Sequence, residues 1–170
     1  GDVSYLLASM YDQGVGTRQD EMLAVRCYKM AASLGSMEAL DRLVEIAADD
    51  LISMGGMRES AQTILSAAND GHKKAQFHMG EFARRGTGIQ KNLRQAMKWY
   101  EKAAAQNDKG ALYQLGEIYR VGAIVRKDSL RAIEYYQKSA AQNCMDAQYQ
   151  LGVIYRDGVS IEKDIDHAFG

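Results

Sequence analysis

The chain has 170 residues, 46% hydrophobic and 25% charged, a balance that supports a folded core and excludes a disordered chain. No apolar run approaches the roughly 18 residues that a bilayer span needs, no charged leader followed by an apolar stretch opens the chain, and the 2 cysteines, Cys27 and Cys144, stand in no zinc or disulfide spacing. Net charge is −1 but unevenly spread: residues 1–70 carry 5 basic and 11 acidic side chains, residues 71–170 carry 16 and 11. This is either two solvated surfaces of different composition or a basic half that meets an anionic partner, and the acidic groups interspersed in that half argue against nucleic acid.

Proline is absent, and Ala, Gln, Lys, Leu and Met recur at helical spacing, so every element is expected to be a helix. The first predicted helix carries LASMYDQG (7–14) and stops at Gly14; a second starts behind Asp20 and ends at Gly35. The next pair is irregular, with Val44, Ala47, Asp50 and Thr63-Ile64 at places filled differently elsewhere and glycines shifted to 55 and 56, before an end at Gly71. A third pair carries MGEFARRG (79–86), restarts after Asn92 and ends at Asn107. The fourth carries LGEIYRVG (115–122), restarts after Asp128 and ends at Asn143; the fifth carries LGVIYRDG (151–158), with Asp164 six residues past Gly158.

These segments fit one frame of 36 residues, giving units of about 1–35, 36–71, 72–107, 108–143 and 144–170, the last incomplete. Each recurring position has a physical task. Gly14, Gly86, Gly122 and Gly158 end first helices with positive φ, and Asp20, Asn92, Asp128 and Asp164 cap the second helices that follow. Gly or Asn ends those second helices because both tolerate the left-handed conformation. Gly80, Gly116 and Gly152 fall in mid-helix at a cost of about 1 kcal/mol each relative to Ala, which close helix crossing would offset. Leu115, Ile118, Tyr119, Trp99, Tyr100, Tyr135 and Tyr136 are expected to face the core, where a large side chain contributes roughly 1.5 to 3 kcal/mol.

GTGIQKN (86–92) poses the one question about a cofactor. A dinucleotide-binding glycine loop follows a strand and opens a helix, whereas this segment follows a helix, and its counterparts GVGTRQD, GAIVRKD and GVSIEKD keep only the first glycine. It reads as a corner, and no cofactor, nucleotide or metal is assigned. His72, His78 and His167 lack metal-ligand spacing, and a Cys-His nucleophile would need Cys27 or Cys144 to meet one of them across units; burial of Cys27 as a small apolar residue is the better reading.

The unit resembles the Sel1-like repeat, a relative of the tetratricopeptide repeat, with A-x-x-x-L-G-x-x-Y-x-x-G-x-G on the first helix and D-x-x-x-A-x-x-[WY]-[YF]-x-x-A-A on the second. Ala111, Leu115, Gly116, Tyr119 and Gly122 carry the first part, and Asp128, Ala132, Tyr135, Tyr136, Ser139 and Ala140 the second. Unit two departs from the pattern, either by drift or because a partner binds there. The resemblance implies an all-α, right-handed superhelical solenoid of antiparallel helix pairs, a non-catalytic adaptor or regulator, and, in a bacterium, a periplasmic or secreted location. Toxin immunity by blocking a partner, and self-association, belong to the same range. The chain stops partway into a second helix, so a longer parent protein is expected, and a homo-oligomer could form through exposed terminal repeats.

By analogy with tetratricopeptide geometry, first helices line a concave face with Tyr5, Asp41, Glu45, Phe77, Glu81, Arg84, Tyr113, Glu117, Arg120, Tyr149 and Arg156, beside Ser9, Asp12, Ala48 and Val153. Aromatic anchors and arginines are enriched at binding hot spots, so a protein or peptide segment with acidic groups is the expected partner. Glu81-Arg84 and Glu117-Arg120 also read as ordinary i,i+3 helix pairs.

Overall fold

The computed structural model describes residues 2–53 and 58–157; the expected corner at Gly158, the cap at Asp164, the glycines at 55 and 56 and His167 lie outside them. Among the described residues every regular element is a helix: α1 (Asp2–Gln13), α2 (Glu21–Ser33), α3 (Met37–Ser53), α4 (Arg58–Asn69), α5 (Lys73–Arg85), α6 (Leu93–Ala105), α7 (Lys109–Val121), α8 (Ser129–Ala140) and α9 (Met145–Asp157). The chain forms two compact units, 1–70 and 71–170. In the first, α1 packs on α2, α2 on α3, and α3 on α4. In the second, α5 packs on α6, α6 on α7, α7 on α8, α8 on α9, and α5 also meets α7.

The corners form as the residue types require. Gly14, Gly86 and Gly122 have φ of 68°, 80° and 73°, and Gly35, Gly71, Asn107 and Asn143 have 91°, 92°, 61° and 59°. Asp20, Asn92 and Asp128 cap α2, α6 and α8 by accepting from the backbone N–H of Leu23, Gln95 and Arg131. In GTGIQKN the first and last N–H groups turn back on the preceding helix: those of Gly86 and Thr87 both reach the Phe82 carbonyl, and that of Asn92 reaches Ala83 at 2.7 Å. The segment is a helix stop followed by a cap, and the same long loop bond recurs from Asp20 to Tyr11 and from Asp128 to Tyr119.

The mid-helix glycines have a specific neighbour. A Cβ on Gly80 would lie 2.6 Å from Tyr100 Cδ1, and one on Gly116 would lie 2.6 Å from Tyr136 Cε1. Each glycine is the notch that receives a fully buried tyrosine from the paired helix. The first pair puts Ala8 opposite Tyr28 in the repeat frame, and the divergent pair puts Val44 and Ile64 there, all four buried. In the divergent pair a larger residue on one helix accompanies a smaller one on the other, so core volume is kept. Around Gly152 no atom falls within 4 Å of such a Cβ among the described residues.

Most aromatics expected inside are there: Trp99, Tyr100 and Tyr136 are buried, while Tyr119 and Tyr135 are half-buried and stack on each other at 5.7 Å. The divergent pair differs in length as well. Helix α3 has 17 residues where α5, α7 and α9 have 13, because Asp50 stands where the others have the glycine that stops the helix, and the backbone stays helical to Ser53.

Candidate functional site

The carboxylates and arginines of the first helices are built into a repeated network. Glu81 on α5 is 8% exposed and takes three donors. Tyr100 donates its hydroxyl from α6 at 2.7 Å, Arg84 donates Nε and Nη2 at 3.2 and 2.7 Å, and Arg85 approaches Oε2 at 2.8 Å. One repeat later, Tyr136 of α8 donates to Glu117 of α7, which Arg120 grips at 3.1 and 2.7 Å. The side-on grip of a guanidinium on both carboxylate oxygens fixes both side chains.

Within residues 1–70 the same task is done with shifted parts. The carboxylate moves one turn along α1, from the position of Ser9 to Asp12, where Tyr28 still reaches it at 3.1 Å. The cation comes from Arg42 on α3, which bridges Asp12 at 2.7 Å and Glu45 at 2.9 Å. Ile64 stands where the other pairs have the tyrosine, so Glu45 has no hydroxyl from that position and is bound by arginine instead.

The electrostatic consequences follow from this wiring. Burial alone would raise the Glu81 carboxyl, but the hydrogen bonds from Arg84 and Tyr100 and the charges of Arg84 and Arg85 outweigh it and hold the group below the ordinary glutamate range. Burial likewise opposes ionisation of Glu117, and Arg120 and Tyr136 reverse the sign in the same way. The phenols of Tyr100 and Tyr136 are pushed far above their ordinary value, first by burial and then by the carboxylates they donate to.

The expected aromatics are partly packing residues. Tyr5, Phe77 and Tyr113 are half-buried, and each rests on the buried tyrosine of its own pair, with ring centroids 5.8, 6.1 and 5.9 Å apart. Phe77 also meets the next first helix, since a Cβ on Gly110 would lie 2.8 Å from its ring. Tyr149 and Arg156 are exposed on α9, and Asp41 is half-buried on α3. Ser36, His72 and Asp108 cap the first helices α3, α5 and α7 through their side chains, a task that the second-helix pattern alone did not reveal. His72 has its Nδ1 on the Ala75 N–H at 3.3 Å. Cys27 and Cys144 are half-buried free thiols set against the apolar cores of their units. No group of His, Cys, Asp and Glu that could hold a metal ion occurs among the described residues.

Beside this network the second unit has two clefts related by the repeat. The first, about 360 Å³, has Arg84, Leu93, Ala96, Gln114, Glu117 and Ile118 on its walls together with Tyr113. The second, about 190 Å³, is lined by Arg120, Ser129, Ala132, Gln150, Val153 and Ile154, each 36 positions further on. Arg84, Tyr113 and Glu117 therefore share one cleft, and Arg120 and Val153 share the other. The guanidinium side chains of Arg84 and Arg120 keep 37% and 42% of their surface open while bound to glutamate.

The Sel1 repeat family matches residues 2–36, 73–108, 110–144 and 146–170. The unmatched stretch holds α3 and α4, where valine and isoleucine replace the glycine and tyrosine. The chitin synthase regulator SKT5 of Saccharomyces cerevisiae is 40% identical over 101 residues, covering 57% of this chain and 14% of that protein. Among solved structures, a Sel1 repeat protein from Oxalobacter formigenes is 31% identical with a TM-score of 0.80 over 94% of this chain and 65% of that one. A protective antigen of uropathogenic Escherichia coli, c5321, with an SLR fold, is 27% identical with a TM-score of 0.74, covering 92% of this chain and 33% of that one. The chain thus spans less than two thirds of the length of each of these relatives. Sel1 repeats typically form non-catalytic scaffolds for protein–protein interaction, and with the notched helix pairs, the recurring caps and four matched stretches, this chain belongs to the Sel1 repeat family.

Proposed function

We propose that the chain is a non-catalytic adaptor that holds a protein or peptide segment along its first-helix face. One observation carries this reading: two clefts at equivalent positions, one repeat apart, each combining an arginine with apolar side chains. A segment placing apolar side chains in successive clefts would meet Arg84 and Arg120 at the edges, where acidic groups gain charge-assisted contacts. The aromatic row Phe77, Tyr113 and Tyr149 adjoins this surface in the repeat frame, and the resemblance to a chitin synthase regulator supports a role performed by binding. The two glutamates orient the arginines in this reading and do not compete for the partner, because both arginine side chains keep open surface while paired.

The test is a joint replacement of Arg84, Arg120 and Arg156 by alanine, scored by calorimetric affinity for a partner recovered with the intact chain. A loss of tenfold or more, roughly one hot-spot contact, is the expected result, accompanied by a modest fall in melting temperature from the lost glutamate pairs. Unchanged affinity with a lowered melting temperature would assign the arginines to stability alone.

A further inference from the structure

Helix α6 carries a feature that its counterparts lack. Arg94, Lys98 and Lys102 follow one another at i, i+4 and i+8, all exposed, and with Asn92, Gln95 and Trp99 they line a cleft of about 470 Å³. None of the three cations is in an ion pair among the described residues. Equivalent positions on α8 are Leu130, Glu134 and Lys138, and on α2 they are Met22, Arg26 and Met30, so the stripe is not a requirement of the repeat. Although Lys102 in the last turn suits the helix dipole, the rest of the stripe is placed against local helix energetics. Like charges one turn apart repel, and Arg94 sits in the first turn, where the helix dipole disfavours a cation and α6 has no acidic residue.

We propose that this face of α6 is a second binding surface, separate from the first-helix clefts, and that it takes an acidic protein segment whose carboxylates are spaced one helical turn apart. Charge complementarity sets the partner's sign, and the cleft sets its form. Trp99 is 8% exposed and lies under Lys102, whose Nζ stands 4.3 Å from the ring centroid. The indole therefore lies at the base of a trough beneath Lys102, where it senses a segment bound across the three cations. A bilayer surface calls for protruding apolar side chains at this spot, and the recessed ring offers none. Duplex nucleic acid calls for a broader run of cations, and Glu101 interrupts this one.

Trp99 is the only tryptophan in the chain, so its emission reports directly on the trough. The experiment titrates the intact protein with a synthetic helical peptide bearing Glu at i, i+4 and i+8 and Leu between them, and in parallel with phosphatidylserine vesicles and duplex DNA. The expected result is a shift of Trp99 emission with the peptide, weakened by salt, and a loss of at least about tenfold in affinity in the Arg94→Glu, Lys98→Glu, Lys102→Glu variant. Circular dichroism checks that this surface variant stays folded, and Arg94→Gln, Lys98→Gln, Lys102→Gln gives a milder loss in the same order. The Arg84, Arg120 and Arg156 replacement leaves peptide binding here unchanged, which separates the two surfaces. No binding by the native chain, equal binding by the reversed variant, or tighter binding to vesicles or DNA than to the peptide overturns the proposal.

Discussion

Glu81 stays charged inside a packed helix pair because Arg84, a phenol hydroxyl from Tyr100 and Arg85 all serve it. The carboxylate is nearly enclosed, and losing one of its donors leaves a desolvated oxygen that water reaches poorly. Tyr100→Phe removes that donor with no change of ring volume and is expected to cost about 1.5 to 3 kcal/mol, the range for hydrogen bonds to charged groups. Tyr136→Phe makes the same deletion at Glu117, whose side chain is 23% exposed against 10% for Glu81, so water replaces the lost donor more easily and the effect is smaller. Chemical denaturation of both variants under one condition gives the comparison, and equal losses, or a larger one at Tyr136, would contradict the dependence on burial.

At the level of the element, what could be read from the sequence was what is chemically local. A glycine or asparagine with positive φ and an Asp or Asn whose side chain reaches three residues ahead act within one turn, and they form at each expected corner that the structure describes. Replacing Asn92 or Asp128 by alanine is accordingly expected to cost about 1 kcal/mol each, measured by thermal unfolding, with glycine costing less at the same place. The mid-helix glycine was legible as a close helix crossing, but not the tyrosine it receives, which lies 20 residues away on the paired helix. The hydroxyl-to-carboxylate bond escaped for the same reason, and the shift from Ser9 to Asp12 conceals it further, since only the folded pair brings Tyr28 to that turn. His72 carries little signal as a cap because imidazole is an uncommon choice, although Ser36 and Asp108 at the same repeat position carry the usual one. Arg84, Tyr113 and Glu117 line one cleft, and its walls from Leu93 and Ala96 come from a second helix that a first-helix pattern cannot supply.

For the molecule as a whole, the recurrence of one charged network turns a local arrangement into a dependence on pH. Glu81 and Glu117 have folded-state pKa values below the ordinary 4.5, so between that value and their lowered ones the unfolded chain binds more protons than the folded one. Their contribution is therefore fully present above about pH 4.5 and is lost as pH falls through the lowered values. Tyr100 and Tyr136 act at the other end. Their folded pKa values are raised above 10.0, so the unfolded chain releases protons first and stability declines as pH climbs past 10. Urea unfolding across pH should show a plateau between these limits, falling on both sides. Glu81→Gln with Glu117→Gln should lower the plateau and flatten the acid limb together, because the same ionised oxygens supply both. An acid limb of unchanged slope in that double variant would place the acid sensitivity in other carboxylates and remove the network from the account.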